Sequence, residues 1–200
     1  VGIVLHLNMV EPATTRPEDV AAAHRWELHQ NRWYLDALYR EGYPAEMVKL
    51  FGADAPDVIP GDMELIQAPI DFLGVNNYRR SVVAEGTDLP PVNMKRVNPP
   101  GEYTEMGWEV HPEGLYRVLK WVNMNYPVSK VIVTENGASF NDTVSPDGRV
   151  HDERRVAYLR EHIKQAHRAM REGVPLGGYF AWSTLDNFEW AYGYSRRFGL

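Results

Sequence analysis

Short apolar runs alternate with longer amphipathic stretches along the chain, a pattern that predicts an α/β fold with parallel strands. Gly2–Leu7 reads as a buried strand bounded by polar residues. Thr15-Arg-Pro-Glu18 then places a threonine at an N-cap, a proline in the first turn and a glutamate three residues after the threonine. That signature opens a helix running to about Arg40, stopped by Gly42 and Pro44. Ile70–Val75 is a second strand. Arg79–Met106 reads as a long loop, with Pro90, Pro91, Pro99, Pro100 and Gly101 excluding regular elements. Loops of such length in compact domains are usually functional or mobile.

Pro112–Asn125 carries Leu115, Leu119 and Val122 at helical spacing, and Val131–Thr134 is the next strand. Asn141–Gly148 is a polar loop closed by Pro-Asp-Gly. The clearest helix runs from about Asp152 to Glu172, where Val156, Leu159, Ile163, Ala166 and Met170 recur every three or four residues before Gly173 and Pro175. Gly177–Trp182 is the last strand, followed by an aromatic-rich tail. The pattern thus gives four strands and three crossover helices in a single domain over residues 1–200. A closed parallel barrel takes eight strands, so the pattern alone also permits an open sheet with two edges.

Composition narrows the function classes. The 200 residues are 44% hydrophobic and 24% charged, close to globular averages, which argues against disorder. A net charge of −6 argues against nucleic acid, whose phosphates need a cationic face. No apolar run is long enough to span a bilayer. The absence of cysteine excludes disulfides and thiolate metal sites and fits a cytoplasmic location. The chain opens mid-strand at Val1 without a methionine, so residues upstream are expected. Six Trp and eleven Tyr make it aromatic-rich, which suits a large core and also stacking against the apolar faces of sugars.

The most informative segment is Lys130-Val-Ile-Val-Thr-Glu-Asn-Gly137. A buried strand that delivers Glu135 to its C-terminal mouth is how a parallel α/β barrel presents a catalytic group. The octapeptide by itself equally permits a solvated glutamate in an ordinary turn. Three further motifs accompany it. Asp71-Phe-Leu-Gly-Val-Asn-Asn-Tyr78 puts Asn76 and Tyr78 at another strand end, Glu105-Met-Gly-Trp-Glu-Val-His-Pro-Glu-Gly114 closes the long loop, and Gly178-Tyr-Phe-Ala-Trp-Ser-Thr-Leu-Asp-Asn-Phe-Glu-Trp190 follows the last strand with aromatics and carboxylates. In these motifs and their order the chain resembles the C-terminal half of a family 1 glycoside hydrolase, the group that includes β-glucosidases and β-galactosidases.

The resemblance implies a (β/α)8 TIM barrel of which this chain supplies strands five to eight. It implies that Glu135 is the nucleophile of a retaining β-glycosidase acting on terminal β-D-glucosyl residues, with Tyr78 contacting it and Asn76 orienting the sugar. Such an enzyme needs one ionised carboxylate to attack the anomeric carbon and a protonated carboxyl about 5–5.5 Å away. The family has an aromatic where this chain has Asn77, a residue expected on the opposite face of the strand and of little functional effect. Trp182, Glu189 and Trp190 match the glycone pocket, Phe198 a position near the sugar's primary hydroxyl, and Trp108 the aglycone platform. A carboxylate at Glu189 would repel a phosphate dianion, so neutral glycosides are favoured over 6-phosphorylated ones.

The family's general acid lies in an Asn-Glu-Pro motif on the fourth strand, which has no counterpart here. Glu11-Pro12 follows a strand but falls in the loop after the fifth, so Glu11 is not expected to be the acid. The expected partners are a small β-glycoside or oligosaccharide substrate and, for activity, the N-terminal half-barrel; without it the chain is expected to be inactive. No cofactor or metal is implied. His24 with His29, and His162 with His167, are five apart on helices, the wrong spacing for two ligands on one face. They are expected to face solvent or to pack. Two other readings stay open: a noncatalytic carbohydrate-binding relative, and a half-barrel that needs a complementing chain.

Overall fold

The computed structural model describes all residues, 1–200. Four strands form one parallel sheet: β1 (Gly2–His6), β3 (Phe72–Asn76), β6 (Val131–Asn136) and β7 (Leu176–Ala181), side by side in that order. They coincide within one or two residues with the four apolar runs of the sequence. Three shorter strands make a second sheet: β2 (Val10–Pro12), β4 (Ser81–Glu85) and β5 (Met94–Arg96), with β4 parallel to β2 and antiparallel to β5. This second sheet corrects the expectation of an irregular loop over 79–106. The paired prolines Pro90 and Pro91 lie in the connection between β4 and β5, where they interrupt no ladder, and Ser81-Val-Val-Ala-Glu85 is an ordinary β-branched strand.

The crossovers are helical. After β2 come α1 (Pro17–Glu27), a π-turn at Leu28–Arg32, α2 (Trp33–Tyr39), α3 (Ala45–Phe51) and α4 (Asp62–Ile66); α5 (Pro112–Asn125) leads to β6 and α6 (Glu153–Arg171) to β7. The first helix starts differently from the expected cap at Thr15. Arg16 is the N-cap residue and its side chain caps nothing, while Pro17 fills the first turn as expected. Instead, Thr14 (2.5 Å) and Arg16 (3.1 Å) donate to Asp19, a buried carboxylate that also accepts the backbone N–H of Glu85 at 3.0 Å. Asp19 therefore ties the start of α1 to the small sheet, and these hydrogen bonds hold its carboxyl below the usual carboxylate pKa.

The main core lies between the parallel sheet and its helices. Leu5, Leu7, Leu73, Val75, Val131 and Val133 meet Leu35, Leu115, Val118, Leu119, Val122, Ala166 and Ala169. A separate cluster joins α1 to the small sheet through Ala22, Trp26, Met47, Val83, Val92 and Met94. The opposite face of the parallel sheet carries no helices, and Val4 and Phe180 lie 46% and 60% exposed on it. No helix is long and apolar enough to cross a membrane.

On α6 the helix is where its period placed it, but the buried face is turned. Val156, Ile163 and Met170 are exposed, and Arg155, Tyr158, His162, Ala166 and Ala169 face inward. Tyr158 and His162 stack with ring centroids 3.8 Å apart, an apolar use of two polar side chains that hydropathy does not anticipate. His162 and His29 are thus packing residues, the latter stacked on Trp26 at 5.1 Å, whereas His24 is exposed beside Glu46.

Burial drives the His162 imidazole down to about 4, with the nearby His111 adding to the fall and the Tyr158 carbonyl and Glu161 opposing it. Between that value and the unperturbed 6.5 the unfolded chain takes up a proton that the folded chain refuses. The stability contribution is therefore complete above about pH 6.5 and is lost as pH falls toward 4, on the order of 3 kcal/mol across the window. Urea midpoints measured at pH 7 and pH 4.5 should fall further apart in the parent chain than in His162→Gln. Equal acid sensitivity in the two would refute this.

Candidate active site

Register brings the strand ends together. His6 sits opposite Asn76, Asn76 opposite Glu135, and Asn136 opposite Ala181, so the C-terminal ends of all four parallel strands open on one cleft of about 510 Å³. Every residue singled out from the sequence lines it: Asn76, Tyr78, Trp108, Glu135, Trp182, Glu189, Trp190 and Phe198. Glu11 does not. Its carboxylate sits on β2, bonded to Arg80 at 2.7 Å and to Arg117.

Glu135 is the next-to-last residue of β6, and the Tyr78 hydroxyl donates to its Oε2. Burial first, then the bond to Glu135 and the charges of Glu135 and Glu189, push the Tyr78 phenol far above its usual range. Tyr78 thus stays protonated and remains a donor aimed at an anion. On the open face of the sheet Thr134 donates to Asn76 Oδ1 at 2.7 Å, which occupies the amide oxygen and leaves the Asn76 NH2 free to donate into the cleft.

Behind these groups lies a buried polar web. Asn136, fully buried, donates to the Asn77 carbonyl at 2.7 Å and to the Tyr158 hydroxyl at 3.1 Å, and accepts from Tyr179 at 2.5 Å. Tyr158 in turn donates to the Tyr78 carbonyl at 3.3 Å. Asn77 lies on the helix side as expected, yet it is structural: its side chain is buried and donates to the Leu7 carbonyl at 2.8 Å. A polar network satisfied on every side holds its members in one geometry, here the backbone that carries Glu135 and Tyr78.

Beyond β7 the chain folds over the cleft. Trp182 N–H donates to Asn136 O at 2.9 Å, and Ser183 N–H to Phe198 O at 3.1 Å, which brings the buried Phe198 ring back beside Tyr78 and Trp108. Trp190 is 83% exposed and stands at φ +44°, a left-handed backbone that side-chain-bearing residues adopt at a cost. Glu135 and Glu189 both line the cleft, and partial burial and then the Glu135 charge raise the Glu189 carboxyl above its usual value.

Six lining residues were not singled out: His6, Met106, Asn187, Phe188, Ala191 and Tyr192. His6 could have been found, since it ends β1 as Asn76 ends β3. The Asn187–Phe188 pair lies inside the aromatic motif already quoted. Met106 likewise lies inside the quoted Glu105–Gly114 motif, whereas Ala191 and Tyr192 arrive through loop geometry that no local pattern encodes. No group of three or more His, Cys, Asp or Glu converges in a way that could hold a metal ion.

Comparison with known proteins adds identity to this geometry. Residues 1–200 match the family described as Glycosyl hydrolase family 1. The chain is 45% identical over 201 residues to β-glucosidase A of Thermotoga maritima, across all of this chain and 45% of that protein. It is 45% identical over 202 residues to a 1,4-β-D-glucan glucohydrolase of Thermotoga neapolitana, across all of this chain and 47% of the other. A solved β-glucosidase from Thermotoga maritima in complex with deoxynojirimycin superposes with a TM-score of 0.92 at 45% identity, covering 99% of this chain and 45% of that one. The chain therefore spans about half the length of the relatives it matches. Its motifs, its parallel sheet and its matches agree: this chain belongs to glycosyl hydrolase family 1.

Proposed function

We propose that this chain carries the nucleophile side of a retaining β-glucosidase and forms strands five to eight of an eight-stranded barrel. The observation that carries the reading is Glu135 at a strand end, held by a permanently protonated Tyr78 inside an aromatic cleft. Glu135 attacks the anomeric carbon of a terminal β-D-glucosyl unit, and the Tyr78 hydrogen bond keeps the carboxylate oriented for attack. The Asn76 amide and the Glu189 carboxylate bind sugar hydroxyls, Trp182 gives a stacking face, and Trp108 contacts the leaving group. Glu189 disfavours a phosphorylated sugar. A protonated carboxyl from outside this chain donates to the departing oxygen, and water then releases the sugar from Glu135 with net retention.

Two facts support the half-barrel part of the reading: the relatives are about twice as long, and one face of the parallel sheet leaves Val4 and Phe180 unopposed. The test is reconstitution. The 200-residue chain alone should hydrolyse 4-nitrophenyl β-D-glucoside no faster than buffer. Co-expressed with a family 1 segment carrying strands one to four, it should gain activity and release β-glucose first by proton NMR. Release of α-glucose first would exclude a glycosyl-enzyme on Glu135. Robust turnover by the chain alone would exclude the half-barrel.

A further inference from the structure

Two consecutive arginines leave β3 and meet opposite fates. Arg80 is saturated: it donates twice to Glu109 at 2.8 Å and once to Glu11 at 2.7 Å, and Arg117 shares Glu11. The carboxylates of that wall are thus taken. Arg79 has no ion pair, and its side chain makes no hydrogen bond. Its guanidinium lies 5.9 Å from the centroid of Trp108, a wall of the cleft. Arg96, from β5, is likewise without a carboxylate partner, its guanidinium 5.7 Å from the Trp26 ring. Burial first, then the positive charges of Arg79 and Arg96, lower the pKa of His6, which lines the cleft together with Trp108. Burial, then the charge of Arg96, bring Arg79 down to about 10, so it remains cationic at neutral pH.

An uncompensated, partly desolvated cation beside a binding cleft is costly and is relieved by an incoming anion. The contacts run outward from the reacting group: Glu135 to Tyr78, Tyr78 to Trp108 at 5.0 Å, and Trp108 to Arg79. Glu135 and Glu189 make the cleft anionic, whereas Arg79 and Arg96 line a small separate recess that Arg79 joins to the Trp108 wall. A flat ring on Trp108 with a carboxylate beyond it fits that polarity, and the planar guanidinium fork matches a carboxylate in two hydrogen bonds.

We propose that Arg79, with Arg96 behind it, selects β-glucosides whose aromatic leaving group carries a carboxylate. The inference rests on the glycosidase reading above and extends it to the leaving group.

The test compares 4-carboxyphenyl and 4-carbamoylphenyl β-D-glucosides, near-isosteres of different charge, on the assembled enzyme. The kcat/KM ratio in favour of the carboxylate should be about tenfold, the size of one solvent-touched charge-assisted hydrogen bond. It should collapse toward one in Arg79→Gln, shrink in Arg96→Gln, and shrink in the parent enzyme at 0.5 M salt. Should Arg79→Gln fold poorly, the Arg96 variant and the salt series still decide. A ratio that is the same in parent, variants and high salt overturns the inference and leaves the glycosidase reading standing. Hydrolysis of neither glycoside overturns both.

Discussion

Replacing Glu135 by alanine should lower kcat/KM of the assembled enzyme for an aryl β-glucoside by about 10⁴-fold or more, the range seen when a residue that bonds covalently to substrate is removed. The fold should survive. Glu135 is only half-buried, and its side chain has one protein partner, the Tyr78 hydroxyl. The substitution also changes its neighbour. The Glu135 charge is one of two causes that raise the Glu189 carboxyl, so its removal should move Glu189 back toward the usual carboxylate value. A carbon-13 titration of the glutamate carboxyls, possible on the chain by itself, reads that displacement without any turnover. Activity within tenfold of the parent would refute the assignment of Glu135. An unchanged Glu189 titration would refute the electrostatic coupling across the cleft.

Gly137→Ala is expected to be the most damaging small substitution. A Cβ at Gly137 would run into the Trp182 carbonyl oxygen, and both atoms are anchored in backbone. Neither can retreat cheaply, because Trp182 N–H is bonded to Asn136 O at 2.9 Å where β6 meets β7. Relief requires the two strand ends to separate, at a cost of about 2–4 kcal/mol. Separation would also move Trp182 away from Glu135, so substrate binding should weaken along with the urea midpoint. Gly178→Ala is the control. Its Cβ would meet Ile132 at 3.5 Å, an ordinary contact, and the midpoint should change by less than about 1 kcal/mol. Equal midpoints for the two variants would refute the steric account.

Legibility in the sequence followed the range of the interactions involved. The four parallel strands were readable because buried strands are written as local apolar runs, and Glu135, Asn76, Tyr78 and Trp182 were readable because motif and strand end coincide. The small sheet was hidden because prolines in its connections outweighed Ser81–Glu85 as a signal. The buried face of α6 departs from its hydropathy for another reason. Arg155 goes inside because Asp142 and Asp152 pair with it and the Ala138 and Arg197 carbonyls accept its hydrogen bonds, and no hydropathy pattern assigns an arginine to a core. Asn136 and Tyr158 carry no local signal either, since their worth lies in partners 22 to 80 residues away.

The apolar cluster of Ala22, Trp26, Met47, Val83, Val92 and Met94 is distinct from the one beneath the parallel sheet. The excursion that carries Arg96 is therefore cemented to α1 by its own interior, and the strands that carry Glu135 and Asn76 rest on another. Mutations in that excursion draw on one reserve of stability, and mutations near Glu135 draw on the other. On the reading proposed above, the segment that carries Arg96 can change while the strands that carry Glu135 stay protected, and a designer exchanging that segment between relatives should cut at the borders of the smaller cluster.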